Sequence, residues 1–329
     1  MVYQTISVKS RTLEILRQDP GAFISGEDLA SKQGVSRVAV WKAVKALCLM
    51  GYPITVGEKG YCWKPLSHGD FLYPWEFGEK EPFFHHFDST DSTMNRAAEL
   101  AGRGCPGGTV ITAGEQTAGR GRNNRPWVSE HGGLFFTLLE RQAMNAAEYF
   151  RFSLALQIAA ARCLSRICGK QVQPRWSNDL YVDGKKIAGI LTEFHAEGDL
   201  LVWISLGVGI NVNNRPHSKE STNCANVAGH PLSRQEVLRS ILHEWELTKK
   251  EVNSPMLCKE WNSLAWGIGK RAAVVENKSC KKDRSSRSEK TGIIADGIFS
   301  GIDEHGRGVI KEENGKKKVF IPGKVSIQF

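Results

Sequence analysis

No stretch of the 329 residues approaches the ~18 uninterrupted apolar positions that a membrane-crossing helix needs. The first ten, Met1 to Ser10, lack the apolar core of a secretory signal, so no membrane association is expected and the cytoplasm is the expected compartment. There is no CxxC and no paired Cys/His spacing of the zinc kind. The eight cysteines (Cys48, Cys62, Cys105, Cys163, Cys168, Cys224, Cys258, Cys280) are scattered and read as free, mostly buried thiols of a reducing compartment. No internal repeat is visible. Hydrophobic residues at 41% and charged residues at 24% exclude a disordered chain, a collagen-like fibre and a disulfide-stapled miniprotein.

What charge there is lies unevenly. The net charge is +9. Residues 1–64 hold nine Lys/Arg against five Asp/Glu, and residues 277–290 hold six against two. Each segment therefore has a surplus of four, and the rest of the chain has a surplus of only one. A uniformly basic chain would suggest nucleic-acid coating, whereas a basic end suggests a tethered nucleic-acid module.

Residues 1–64 carry the grammar of such a module. Thr12 to Arg17 is a short helix with Leu13 and Leu16 inward. Ser25 caps a second helix, Gly26 to Gln33, with Asp28 completing a capping-box-like start. Gly34 makes a tight turn. Ser36 caps a third helix, in which Val40, Val44 and Leu47 follow the i, i+4, i+7 rule. After Gly51, Pro53–Val56 and Tyr61–Lys64 flank the turn Gly57-Glu58-Lys59-Gly60 as a wing hairpin. The unit reads as a winged helix-turn-helix. Ser36, Arg37, Lys42 and Lys45 are its candidate DNA-binding residues. A winged helix kept only for stability or dimerisation is the other reading.

Residues 65–82, rich in Pro, Gly and aromatics, read as a linker with some packing of its own. From 83 to 266, helices and strands alternate as in an α/β or α+β catalytic domain. Helices are expected over Ser92–Ala101 and Arg151–Cys168, and another begins at the capping box of Ser233 and Glu236, with Val237, Ile241 and Trp245 on one face. Strands are expected over Val110–Ala113, Leu134–Leu139 and Leu200–Leu206. Asp183-Gly184 joins Leu180–Val182 to Lys186–Phe194 in a two-residue hairpin. Residues 267–329 change to short strands with Gly turns, the spacing of a small SH3-like barrel. The basic insert 277–290 interrupts it as a loop with almost nothing apolar.

Four constellations carry chemistry. In Glu115-Gln116-Thr117-Ala118-Gly119-Arg120-Gly121-Arg122-Asn123-Asn124-Arg125-Pro126-Trp127, glycines permit close approach of the backbone to a ligand, arginines fork onto phosphate or carboxylate oxygens, and the Trp offers a flat face. By itself this loop reads equally as a phosphate-and-base cradle or as an exposed RGG-like or solvated segment. In Arg175-Trp176-Ser177-Asn178-Asp179 followed by Lys186-Ile187-Ala188-Gly189-Ile190-Leu191, the lysine enters an apolar strand beside a glycine. It is either a point charge facing a carboxylate or part of an ordinary charged hairpin. Gly207-Val208-Gly209-Ile210-Asn211 is a strand end that a ligand can approach closely. Asp91-Ser92-Thr93-Met94 is, on its own, a helix cap.

Taken in order, these motifs resemble those of the biotin protein ligases. With the winged helix in front, the chain is similar over essentially its whole length to the bifunctional subgroup that also represses the biotin operon. The resemblance implies an α+β protein with a central domain like those of class II synthetases. It implies ATP and biotin as substrates, Mg²⁺, a biotin carboxyl carrier protein of acetyl-CoA carboxylase as acceptor, operator DNA and a homodimer, whether formed with ligand or without it. A biotin sensor on DNA with secondary ligase activity, or a ligase whose winged helix no longer represses, are the alternatives. Position by position, it implies that Ser92, Thr93, Gln116 and the backbone near Arg122 hold the biotin ureido ring, with Gly189 and Gly207 leaving room for it. Gly119, Arg120, Arg122 and Arg125 would close over the adenylate, and Trp127, Asn178 and Asn211 would meet the adenine. Asp179 would sit near phosphates and Mg²⁺, and Lys186, with Arg120 and Arg122, would carry catalysis. The chain departs from the family in two places. Asn123-Asn124 stands where Arg-Gly is usual, so the loop is expected to close differently. Ser177 stands where Pro is usual, so the turn presenting Asn178 is expected to be less rigid.

Overall fold

The computed structural model describes residues 6–64, 70–142, 144–277 and 292–329. Cys280 and all of the basic insert except Asn277 lie outside the described residues. The chain divides after His86 into two units.

In the first unit, α1 (Val8–Gln18), α2 (Gly26–Gln33) and α3 (Arg37–Leu49) are set by their caps. Ser7, Ser25 and Ser36 each accept a hydrogen bond from the backbone N–H three residues on, which satisfies one of the donors a helix start leaves open. Gly34 ends α2 in the left-handed conformation, at φ 66°, and so sets the turn between the two helices. The first helix is longer than its apolar spacing indicated, because the Ser7 cap starts it before Leu13. β1 (Phe23–Ile24), β2 (Ile54–Gly57) and β3 (Gly60–Trp63) form the wing sheet in the order β1-β3-β2. Leu13, Leu16, Leu29, Val40, Val44 and Leu47 make the core.

The segment expected to be a linker belongs to this unit. Residues 65–69 lie outside the described residues, but Phe71, Tyr73 and Trp75 pack on the winged-helix core. Phe71 stacks on Tyr52 with ring centroids 4.0 Å apart, and the Trp75 Nε1 donates to the Tyr52 hydroxyl at 2.9 Å. Arg17 forks onto the buried Glu76 carboxylate with two bonds of 2.9 Å. The aromatic residues that looked like linker punctuation are a second layer of core.

The second unit, Phe87–Phe329, contains the C-terminal sheet and, apart from the first three residues of β4, the seven-stranded one. A seven-stranded sheet runs β4 (Phe84–Thr90), β5 (Thr109–Gln116), β6 (Leu134–Glu140), β10 (Leu200–Ile210), β9 (Lys185–Glu197), β8 (Asp179–Val182), β7 (Gln173–Arg175). The β8–β9 connection is the two-residue turn Asp183-Gly184, both with positive φ, as a primed turn requires. α4 (Thr93–Gly102) packs on β5, β6 and β10, and α5 (Phe150–Cys168) is buried on nearly every side, against β7–β9 and the later helices α7 (Arg234–Thr248) and α8 (Met256–Leu264). The short α6 (Cys224–Ala228) precedes α7, which starts at the expected Ser233 cap. None of the helices described is long and apolar enough to cross a membrane.

The C-terminal strands β11 (Arg271–Glu276), β12 (Ile293–Ile302), β13 (Gly308–Lys311), β14 (Lys317–Phe320) and β15 (Val325–Gln328) form an antiparallel sheet in the order β14-β13-β12-β11-β15. This β-rich region is not a free-standing module. The Trp176 indole lies against Gly308, where a Cβ would come within 3.0 Å of the ring, and its Nε1 donates to the Gly306 carbonyl at 3.1 Å. Arg175 sits 4.6–5.1 Å from the rings of Tyr181, Trp266 and Phe329 and donates to the Ile327 carbonyl. Residues 267–329 belong to the same compact unit as the helices and strands before them.

Candidate functional site

A cavity of about 510 Å³ opens in the second unit. Arg120, Arg122, Arg125, Arg175 and Lys186 line it, and Asp179 is the only carboxylate among its lining residues. Five permanent cations around one acid make a site for an anionic ligand.

Its floor is a hydrogen-bond chain. Ser92 caps α4 by accepting from the Met94 N–H at 3.3 Å. The Thr93 N–H and hydroxyl both donate to Gln116 Oε1, at 2.8 and 3.1 Å, and Thr137 donates to the Thr93 hydroxyl at 2.8 Å. Gln116 Nε2 donates to Ser129 Oγ at 2.7 Å. Both ends of the Gln116 amide are thus fixed before any ligand is considered. Gly207 lines the cavity beside Met94: a Cβ there would lie 2.5 Å from the Met94 sulfur.

The Gly-Arg segment folds back on itself. The Trp127 N–H donates to the Gly119 carbonyl, and the Gly121 N–H to the Arg125 carbonyl, at 2.9 and 2.8 Å. Gly119 itself does not line the cavity. A Cβ on it would fall 2.5 Å from the Trp127 carbonyl oxygen and 2.6 Å from Ser129 Oγ, so its missing side chain lets the loop close on itself. Asn123 and Asn124 both adopt positive φ, 57° and 53°. Asn is among the few side chains that tolerate this region, which is how the loop turns without the family's Gly.

The arginines are held individually. Arg120 forks onto Glu193 at 3.1 and 2.9 Å and donates to Asn95 Oδ1 at 2.7 Å. Arg122 Nη1 donates to Asn178 Oδ1 at 3.0 Å, while its Nη2 is buried with no partner. Burial pulls the Arg122 guanidinium down from its ordinary value, against the opposing pull of Asp179. The Trp127 indole lies against the β9 and β10 glycines: a Cβ on Gly209 would come within 2.4 Å of Nε1, and one on Gly189 within 3.1 Å of the ring. That Nε1 is also buried without a partner. Two orphaned donors on one loop are expensive unless a ligand accepts from them.

Lys186 Nζ lies 2.7 Å from Asp179 Oδ1 and 5.2 Å from the Trp127 ring centroid. Its placement depends on an irregularity in the ladder. Asp179 pairs with Gly189 and Tyr181 with Lys186, so β9 carries one extra residue opposite the Leu180–Tyr181 step. The bulge turns Lys186 onto the face of Asp179 and Gly189, where regular alternation would have turned it away. Asn178 and Asn211 line the cavity, but their amides also hold the frame. Asn178 Nδ2 donates to the Ile190 carbonyl at 2.8 Å; Asn211 Nδ2 donates to the Thr222 carbonyl at 3.1 Å, and its Oδ1 accepts from Asn214. The carbonyl of buried Ser177, in the turn that presents Asn178, accepts from Gln157 Nε2 at 2.9 Å.

Arg175 and Val325–Gln328 also line the cavity. The arginine is visible in the motif; Val325–Ile327 reads as a strand, but nothing local in the sequence marks it as part of the site. Among the described residues, no group of three His, Cys, Asp or Glu could hold a metal ion, and Asp179 stands alone. In the first unit Arg37, Lys42 and Lys45 are solvent-exposed on α3, and Ser36 is its cap.

Comparison with known proteins adds to this geometry. Residues 86–211 match the biotin/lipoate A/B protein ligase family, and residues 9–61 match an HTH domain. The chain is 30% identical to the bifunctional ligase/repressor BirA of Bacillus subtilis (strain 168), over 95% of this chain and 97% of that protein. It is 28% identical to the protein of the same name from Escherichia coli (strain K12), over 94% of each chain. Among solved structures, the biotin protein ligase from Aquifex aeolicus in complex with biotin and ATP superposes with a TM-score of 0.59 at 27% identity, covering 74% of this chain and 98% of that one.

Proposed function

Because the chain belongs to the family of bifunctional biotin protein ligases and repressors, we propose that its cation-lined cavity joins biotin to ATP as biotinyl-5′-AMP and passes the biotinyl group to a lysine of a biotin carboxyl carrier protein. The observation that carries this reading is the pair of orphaned buried donors, Arg122 Nη2 and Trp127 Nε1, on a loop facing Lys186. An adenylate offers acceptor oxygens and a flat ring to that arrangement.

A free carboxylate is a poor acyl donor. In the first half-reaction a biotin carboxylate oxygen attacks the α-phosphorus and pyrophosphate leaves. Negative charge grows on the transferred phosphoryl oxygens, so the protein's part is to hold cations where that charge develops. Lys186 and Arg122 are those cations. Arg120, already forked onto Glu193, shapes the loop more than it meets the phosphate. In the second half-reaction the carrier's ε-amine attacks the mixed anhydride and AMP leaves. A loop folded over the adenylate keeps water from competing for it. Asp179 is suited to hold Mg²⁺ together with nucleotide phosphates, since this ion is commonly bound through one or two carboxylates plus substrate oxygens. When bound, it would neutralise phosphate charge.

In its second role the winged helix binds operator DNA, and a homodimer would present two such helices to two half-sites. The exposed, acid-free α3 with Arg37, Lys42 and Lys45 supports this. The test is biotin- and ATP-dependent pyrophosphate exchange, followed by transfer to a carrier domain detected with labelled streptavidin. A folded protein that performs neither removes the ligase reading.

A further inference from the structure

The outward face of α3 is not the polar surface that a solvated helix presents. Val40, Ala43, Val44 and Leu47 form its buried stripe. At 3.6 residues per turn, Val38, Trp41 and Lys45 fall on the opposite side. Val38 is 59% exposed and Trp41 51% exposed. Flanking them are Arg37, Lys42 and Lys45, all exposed, and the helix contains no acidic residue. Lys45 Nζ lies 5.1 Å from the Trp41 ring centroid. A bulky apolar centre inside a cationic rim is an unfavourable surface for water and a complementary one for a polyanion whose interior offers apolar groups.

The major groove of DNA fits that description. Its walls are phosphates, and its only apolar feature is the thymine 5-methyl group. Lys and Arg contacts to phosphate position a protein without carrying sequence information. Arg37, Lys42 and Lys45 can meet phosphates or guanine edges, but on this face only the apolar Val38 and Trp41 can meet a thymine methyl. We propose that Val38 and Trp41 are the residues by which α3 reads sequence, through apolar contact with thymine methyl groups, while the surrounding cations hold the backbone. This rests on the DNA-binding reading given above.

The test uses the full-length chain with biotin and ATP. A randomised duplex library selects the preferred site, and single thymines in the enriched duplex are then replaced by deoxyuridine, which lacks only the methyl. Wild-type affinity is expected to fall about fourfold at each contacted thymine, the factor that burial of one methyl-sized group carries. Val38→Ala or Trp41→Ala should erase that difference at its own position and leave the salt dependence unchanged. Lys42→Ala should keep the thymine preference and reduce the log–log salt slope by about 0.9, one phosphate contact. Lys42 is the control because Lys45 sits over the Trp41 ring. Since both apolar side chains face solvent, thermal melts of their variants should overlay wild type, separating lost contact from lost fold. Uridine that is neutral everywhere while a sequence preference persists would overturn the inference alone, as would full thymine preference in the double variant. Equal binding to all duplexes, or none, would remove the operator-binding reading together with it.

Discussion

The Lys186 ammonium and the Asp179 carboxylate meet at 2.7 Å across a bulged strand pair, beneath the Trp127 ring. Each is about a quarter to a third exposed, so neither pays the full desolvation cost of a buried ion. The pair sets an ammonium and a carboxylate side by side in the cavity wall. Removing either half should have a different signature. Lys186→Ala is expected to slow biotinyl-adenylate formation by roughly 10²–10³, the usual cost of deleting one stabiliser of developing charge. Asp179→Asn is expected to raise the Mg²⁺ concentration needed for half-maximal pyrophosphate exchange. Wild-type exchange rates in a folded Lys186→Ala protein would refute the first; an unchanged Mg²⁺ dependence, the second.

The two asparagines of the Gly-Arg loop make a conformational prediction. With φ at 57° and 53°, Asn123 and Asn124 occupy backbone space that a β-branched residue enters only under strain. Asn124→Gly should keep full activity, because Gly adopts this conformation freely. Asn124→Val should distort the loop and raise the KM for ATP by about tenfold, corresponding to roughly 1–2 kcal/mol of local strain. Steady-state kinetics of the two variants decides it, and equal KM values would refute the loop geometry as the reason.

Ligand should protect the same segment. Arg120 and Arg122 are trypsin sites on a loop with two unpartnered donors, whereas the Arg125–Pro126 bond resists trypsin. Biotin plus ATP is expected to slow cleavage there several-fold by supplying the missing acceptors. Cleavage kinetics followed by mass spectrometry, with and without both ligands, provides the check, and identical rates would count against closure over the adenylate.

What the sequence made legible was local. The caps at Ser25, Ser36, Ser92 and Ser233 and the Asp183-Gly184 turn rest on interactions within four residues, and each is where its residue type put it. The cavity-lining residues Thr93, Gln116, Arg122, Asn178, Asp179 and Lys186 were recognisable from motif order. What stayed hidden depends on pairs distant in the chain. Arg17 and Glu76 are 59 residues apart, Arg175 finds Ile327 across 152, and the strand that brings Val325–Gln328 to the cavity has no motif of its own. Glycine roles were the least legible. Gly119 and Gly207 stand in ligand-binding motifs, and each also lies against the chain's own atoms, the Trp127 carbonyl and Met94. A glycine in sequence says only that something comes close.

The Arg17–Glu76 pair has a practical consequence for dividing the molecule. A DNA-binding fragment ending at residue 64 would keep all three helices and the wing but lose the partner of Arg17 and the aromatic layer over Tyr52. Loss of one half of a mostly buried ion pair typically costs about 3–5 kcal/mol; Arg17 is one-third exposed, so about 2 kcal/mol is the expected share here. The stacked Phe71 and the Trp75 hydrogen bond add to it. For a unit of this size that is a large part of its total stability. Fragment 1–86 should therefore melt cooperatively, and fragment 1–64 should melt at least 10 °C lower or not fold, given a shift of roughly 4–8 °C per kcal/mol. Glu76→Ala in the longer fragment should fall between them. A separate fragment, 84–329, keeps β4 whole and should transfer biotin, since every residue lining the cavity lies beyond Asp91. Circular dichroism melts of the three N-terminal proteins test the boundary. A 1–64 fragment as stable as 1–86 would mean that the Trp75 and Glu76 contacts decorate the winged helix without supporting it.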